Sequence, residues 1–332
     1  MFTAELKRKI MCLYPKLIYN PRYRPSKKNG WNPPPEPEDR RKLYIPIGCQ
    51  VCSECRKKKS REWQVRLHEE IKNNKKAYFV TLTFKEEALQ DLTKKAELQE
   101  PNIIGTLAVR LFLERWRKEH KKSVRHWLIT ELGHKKTKKN EKGTERLHLH
   151  GIIWTDIEVE QIEIQWKYGF VFIGEYVSAK TINYIIKYVT KVDEEHPEFI
   201  GKILNSPGIG SNYGKTYNCQ KSWETDTYRL NNGAKTALPI YYRNHIFTEE
   251  ERDELWTQKL DEQTRYINGQ KIRVRNDEEE TEFLQLQKEA QERDQRLGYP
   301  GPEDYRIKEY QEKLKILRNE KKNDKIQEKF GG

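Results

Sequence analysis

The chain has 332 residues, with 64 Lys and Arg against 51 Asp and Glu, a formal charge of +13, and 11% aromatic residues. That length allows one large domain with appendages or two small ones, and the aromatic content separates it from disordered chains. No run approaches the roughly 18 apolar residues of a membrane span, the opening MFTAELKRKIMCLYPKL lacks the apolar core of a signal peptide, and no lipidation motif is present. The sequence therefore reads as a soluble protein of a reducing compartment, with no membrane partner. The charge is uneven. Residues 251–332 hold 18 Lys/Arg and 20 Asp/Glu, so the whole positive surplus, +15, lies in residues 1–250. Such a surplus calls for a polyanionic partner, and nucleic acid is the commonest.

Near the start, GCQVCSECRKKK carries Cys49, Cys52 and Cys55 in a C-x-x-C-x-x-C run. Cys12 lies upstream, across the Pro-rich segment 20–41. Four thiolates brought together by short turns suit a structural Zn²⁺. An iron–sulfur cluster would use the same four ligands, but nothing else in the chain points to electron transfer. Reduced, unliganded thiols are the plain alternative. Cys219 stands alone and is given no role.

Residues 60–74 place Trp63, Leu67 and Ile71 on one stripe, the pattern of a helix. AYFVTLTF (77–84) is β-branched and aromatic, with Thr81 and Thr83 sharing a face, and predicts a strand. Residues 106–120 predict an amphipathic helix, and 124–132 a second strand. The Lys-rich loop 133–146, GHKKTKKNEKGTER, leads into a third strand, LHLHGIIW (147–154). Lys135, Lys136, Lys138 and Lys139 of that loop are expected to contact DNA phosphates. GFVFIGEYV (169–177) predicts a fourth strand and 178–192 a helix. Residues 200–235, rich in Gly, Asn and Ser, predict loops. From about 246 the chain is charged and helical in pattern, an extended arm or a partly disordered one.

Two features carry chemistry. In a strand, side chains alternate faces, so His148 and His150 point the same way, and two imidazoles on one face make half of a metal site. On 124–132, Glu131 shares a face with Trp127 and Ile129; if that strand pairs with 147–154, its carboxylate approaches the histidines as a third ligand. His126 and His134 are alternatives. The plain reading is two half-exposed histidines satisfied by neighbours. The second feature is the helix 178–192. Successive residues turn by about 100°, which gathers Tyr184, Lys187, Tyr188 and Lys191 on one face and Ile182, Ile185, Ile186, Val189 and Val192 on the other. A phenol titrates near 10, and a nearby ammonium favours the phenolate and stabilises a crowded phosphate.

His148-Leu149-His150 resembles the HUH motif of the HUH endonucleases. YIIKYVTK (184–191) is similar to the two-tyrosine motif of rolling-circle replication initiators, and YFVTLTF resembles the first strand motif of that superfamily. MCLYPKL, the cysteine cluster, H-x-H-G and Y-x-x-K-Y-V-T-K in this order look like the initiators of microviruses of the gokushovirus type, over about residues 10–250. The resemblance implies an α+β fold, an antiparallel sheet of about five strands with flanking helices. It implies Mg²⁺ or Mn²⁺ held by His148, His150 and, provisionally, Glu131. It implies attack by Tyr184 or Tyr188 on a single-stranded origin, with Lys187 steadying the phosphate and Lys191 on the DNA, followed by rejoining. Host helicase and polymerase are the expected partners, in the host bacterial cytoplasm. The implied division is 1–60 for the cysteine segment, 61–200 for the endonuclease, 201–245 for a loop-rich extension and 246–332 for a charged tail.

GIGSNYGKT (208–216) falls short of a phosphate loop, because the position five before Gly214 is Ile209. No helicase motor is therefore expected within the chain. The rival readings are a plasmid or transposon nickase, a zinc-containing nucleic-acid-binding protein without enzymatic activity, and a scaffold whose charged tail binds partners.

Overall fold

The strands follow in chain order as β1 (Lys16–Tyr19), β2 (Tyr44–Ile47), β3 (Ala77–Leu82), β4 (Arg125–Leu132), β5 (Leu147–Trp154), β6 (Val171–Ile173), β7 (Ile203–Asn205), β8 (Thr227–Arg229), β9 (Lys235–Ala237), β10 (Thr264–Ile267) and β11 (Gln270–Arg273). The computed structural model describes residues 11–134, 144–174, 176–196, 199–216, 219, 227–230, 233, 235–299 and 301. Lys135, Lys136, Lys138 and Lys139 lie outside the described residues. The described parts of residues 57–254 form one compact unit, and those of 1–56 and 255–332 form a second.

The larger unit is built on a five-stranded antiparallel sheet in the order β6-β3-β5-β4-β7. The class is α+β, as the sequence predicted. The strand that carries both histidines, β5, is central, which suits its high apolar content: Leu147, Leu149, Ile152 and Ile153 are all buried. Alternation divides the core into two layers. On one face Val80, Leu82, Leu128, Leu149 and Ile153 meet Leu107, Ala108, Phe112 and Trp116 of the helix Pro101–His120. On the other face Trp127, Ile129, Ile152 and Trp154 meet Leu67 of the helix Ser53–Asn73. The helix Ala179–Thr190 covers the same face through Ile182, Ile185, Ile186 and Val189, the apolar side read from its 3.6-residue period. Ser178 caps that helix in a box with Thr181. Its start, and hence its rotation over the sheet, is thereby set.

Gly151 follows His150 on β5 and pairs with Leu128 and Val80. A Cβ there would lie 2.0 Å from the Trp127 carbonyl oxygen and 2.8 Å from Leu128 Cα. Both are backbone atoms of a paired strand, so no rotamer change relieves the clash. Gly151→Ala is expected to destabilise the unit by about 3 kcal/mol or more, the upper end for overpacking. An unchanged denaturation midpoint for this variant would contradict the register described.

Several elements differ from the sequence expectation. The helix at 60–74 starts earlier, at Ser53. An additional helix spans Glu86–Ala96. The fourth strand shrinks to three residues because Gly174 leaves the ladder after its N–H bonds to the Phe79 carbonyl. Residues 200–235 contribute strands β7 and β8 and a short 3₁₀ turn, Ser211–Lys215. Beyond residue 246, helices Glu249–Asp261 and Asp277–Arg296 flank the β10–β11 hairpin.

In the smaller unit, β1 pairs with β2 antiparallel, and β10 with β11. The helix Asp277–Arg296 is tied to the cysteine segment by polar contacts. The Asp294 carboxylate, fully buried, accepts the Ser53 N–H at 2.8 Å, and Gln291 Nε2 donates to the Leu13 carbonyl at 2.7 Å.

Candidate active site

The site begins with strand register. β4 and β5 pair so that Glu131 faces His148 and Ile129 faces His150. The ladder continues outward through Gly133 N–H to the Arg146 carbonyl, 3.0 Å. Glu131, His148 and His150 therefore share the sheet face covered by the helix Ala179–Thr190. Glu131 Oε2 lies 3.1 Å from His148 Nε2 and 2.9 Å from His150 Nε2.

The hydrogen bonds behind the ring nitrogens settle what those atoms are. His148 Nδ1 lies 3.1 Å from the Arg146 carbonyl, which only accepts, so Nδ1 carries the proton and Nε2 presents a lone pair. Thr81 Oγ1 holds His150 Nδ1 at 3.0 Å and leaves its Nε2 facing Glu131 in the same way. Burial pushes the His150 pKa down, which favours neutral imidazole. Burial alone would raise the Glu131 carboxyl, but hydrogen bonds from His148, His150 and Lys191 outweigh it and hold the group well below the usual carboxylate range. Two imidazole lone pairs and a carboxylate oxygen at this separation repel one another unless a cation or a proton lies among them. The donor set, one ligand atom from each residue and all within 4.8 Å, fits a divalent metal with open positions for substrate.

The tyrosine pair sits directly over these ligands. Tyr188 stacks on His150, with ring centroids 4.5 Å apart and planes 10° from parallel. Its hydroxyl donates to Tyr184 Oη at 2.8 Å. Tyr184 is 45% exposed, whereas Tyr188 is half-buried. Burial, then the bond to Tyr184, raises the Tyr188 pKa above the usual phenol range. Lys187 Nζ lies 3.8 Å from the Tyr184 ring centroid and 5.1 Å from that of Tyr188. The Lys191 ammonium, read from the sequence as a DNA contact, pairs with Glu131 Oε1. The two alternative histidines lie elsewhere. His126 is buried, bonded to Ser206 and the Val124 carbonyl, two residues from Leu128 on the opposite face; His134 is exposed beside Glu195.

A family model for replication-associated proteins of the ORF2 type matches residues 77–193. The matched span runs from β3 to just past the tyrosine helix, so it contains Glu131, both histidines, both tyrosines, Lys187 and Lys191. It links the chain to DNA replication and is consistent with a rolling-circle initiator. No curated protein and no solved structure matches the chain.

Two contributors were not read from the sequence as site residues. Thr81 orients His150, and Phe79 packs against both His150 (6.2 Å, stacked) and Tyr184 (5.9 Å, edge-on). The alternation of 77–84 put Thr81 on a polar position in an apolar strand, the available signal.

The second metal-ligating group lies in the smaller unit. Cys12, Cys49, Cys52 and Cys55 bring their sulfurs within 4.8 Å of one another, and none forms a disulfide. Cys49 Sγ and Cys55 Sγ are 3.9 Å apart, close to the roughly 3.8 Å expected across a tetrahedron with 2.3 Å zinc–sulfur bonds. Backbone N–H groups of Cys49 and Cys52 donate to the sulfurs of Cys12 and Cys49, each at 3.2 Å, which orients the sulfurs as electron-rich ligands. Gly48 leaves room for the knot, because a Cβ there would lie 2.9 Å from Cys55 Sγ.

Proposed function

We propose that this protein is a rolling-circle replication initiator of the HUH type, as in microviruses. It would nick single-stranded DNA at an origin through a tyrosine and later rejoin the strand. The observation that carries the reading is the stacking of Tyr188 on His150, within a set whose Nε2 atoms converge on Glu131 Oε2. A nucleophile pair and a metal-ligand set on one sheet face suit phosphoryl transfer.

In the first step Tyr184 Oη bonds to the scissile phosphorus and the bond to the 3′-oxygen breaks. The phenolic proton is lost and the leaving 3′-oxygen takes up a proton. The products are a 5′-phosphotyrosine and a free 3′-OH that primes synthesis. Tyr184 is assigned the first attack because it accepts the hydrogen bond from Tyr188, which favours its phenolate, while Tyr188 is harder to ionise. Lys187 counters the charge that gathers on the phosphate. In the second step Tyr188 takes the next strand, and the released 3′-OH attacks the first phosphotyrosine to rejoin the circle. Glu131, His148 and His150 would hold Mg²⁺ or Mn²⁺, which supplies polarisation of a phosphate oxygen. Thr81 and the Arg146 carbonyl keep both imidazoles in the ligand tautomer.

The endonuclease work belongs on this reading to residues 61–200, with the cysteine segment 1–60, the extension 201–245 and the tail 246–332 in supporting roles. Host helicase and polymerase would act with it in the bacterial cytoplasm; among the described residues no helix is long and apolar enough to cross a membrane. Single-stranded oligonucleotides tiled across the replicon that encodes the chain test the reading. Metal-dependent cleavage at one site supports it. DNA binding without cleavage across the whole tiling favours the non-enzymatic binding protein.

The four cysteines would hold Zn²⁺ and staple the N-terminal segment to the helix Asp277–Arg296 through Ser53–Asp294 and Leu13–Gln291. The full-length protein is expected to carry one zinc per chain by elemental analysis. Cys52→Ser, or chelation, should remove the metal and raise amide exchange in residues 287–294 at least tenfold, because metal-binding energy is folding energy in such sites. Protein that lacks zinc, or that keeps its exchange pattern after losing it, contradicts the staple.

A further inference from the structure

The edge strand β6 presents two large apolar side chains to solvent. Phe172 is 50% exposed and Phe170 64% exposed. Exposed phenylalanines on a sheet edge are a liability that folds generally avoid, so a pair beside a candidate site is informative. Register places them. Phe172 pairs with Thr81, and Thr81 pairs with His150, so Phe172 lies on the metal-ligand face of the sheet. Phe170 is two residues earlier, and its carbonyl accepts the Thr83 N–H at 3.0 Å, so alternation puts it on the same face. The rings are connected. Phe172 meets Phe79 edge-on at 6.2 Å, and Phe79 meets Tyr184 edge-on at 5.9 Å. Lys187 lies over the far side of this chain of rings.

We propose that Phe170 and Phe172 form a base-stacking shelf for the single-stranded DNA that flanks the scissile phosphate. The proposal rests on the nickase reading above. Aromatic rings interleaved with cations are the usual surface for unpaired nucleotides, since every base has a face to stack and every linkage a charge to neutralise. The shelf is continuous with the attacking tyrosine through Phe79, so a strand stacked on it runs toward Tyr184. Its chemistry suits bases better than a second copy of the chain. A three-residue edge strand offers little backbone for strand-to-strand pairing, and the positive surplus in residues 1–250 opposes self-association while attracting DNA.

The test uses the full-length protein and two fluorescein-labelled strands, a 15-mer of thymidylate and an abasic strand of equal length. Wild type should bind the thymidylate strand more tightly. Phe170→Ala with Phe172→Ala should weaken thymidylate binding about 5- to 100-fold and leave abasic binding unchanged. Phe172→Trp should keep the preference, since a larger ring still stacks. The shelf is overturned if the double variant binds thymidylate as wild type does, or if both strands weaken equally. It is also overturned if the substitutions instead dissociate a dimer in sedimentation with base preference intact. Wild type that binds neither strand contradicts the nickase reading itself, which separates the two failures.

Discussion

Protein carrying Tyr184→Phe and Tyr188→Phe together is expected to form no covalent adduct with single-stranded DNA, a loss on the order of 10³-fold or more, as when a nucleophile is removed. The single variants should differ in kind. Tyr184→Phe removes the exposed hydroxyl that accepts from Tyr188 and lies beside Lys187. Residual adduct should then map to Tyr188. Tyr188→Phe keeps the first nucleophile but deletes its hydrogen-bond donor. A hydrogen bond to a charged group contributes about 1.5–3 kcal/mol, so first cleavage should slow roughly 10- to 100-fold. Strand rejoining, which needs the second hydroxyl, should be lost. Equal adduct yield from both single variants would contradict the assigned order. Both phenylalanines keep the ring contacts with Phe79 and His150, so folding is not at issue.

The second large effect concerns the ligand set. His148→Ala, His150→Ala and Glu131→Gln should each lower cleavage on the order of 10³-fold, the scale of several kcal/mol of metal-assisted charge stabilisation. Binding of single-stranded DNA should persist. Thr81→Val is the more informative variant, because it leaves all three ligands in place and removes only the group that orients His150. Such supporting residues typically change metal affinity or activity 10- to 100-fold. Thr81→Val should therefore need more Mn²⁺ for half-maximal cleavage, with little change at saturation. Isothermal titration with Mn²⁺ alone gives an independent reading. Unaltered Mn²⁺ affinity in Glu131→Gln would place the metal elsewhere.

Much of this site was legible because it depends on local periodicity. The period of two in β5 put both histidines on one face, and the same period in β4 put Glu131 on a matching one. The short basic loop between them made a hairpin the simplest pairing, and the register places Glu131 opposite His148. The period of 3.6 in Ala179–Thr190 separated the tyrosine face from the isoleucine face. What escaped depended on contacts distant in sequence. Helical angles put Lys191 near the tyrosines but could not say that its ammonium would meet Glu131. Glu86–Ala96 was missed because it buries little beyond Leu92 and Ala96, too sparse an apolar stripe to stand out. Phe170 and Phe172 read as core, since alternation names a face and not which strand lies at the edge. The β10–β11 hairpin had a visible signal, Asn268-Gly269, both at positive φ as a tight turn requires, set within charged residues that read as helix.

The most direct measurement of the central claim is the position of the DNA adduct on the protein. Wild type would be incubated with Mn²⁺ and the cleaved origin strand, digested with nuclease and trypsin, and its peptides weighed. Trypsin separates the two candidates, because Thr181–Lys187 contains Tyr184 and Tyr188–Lys191 contains Tyr188. The expected result is a nucleotide on the Thr181–Lys187 peptide after a single turnover, absent when EDTA replaces Mn²⁺. Cleaved DNA with both peptides unmodified would contradict tyrosine-linked chemistry.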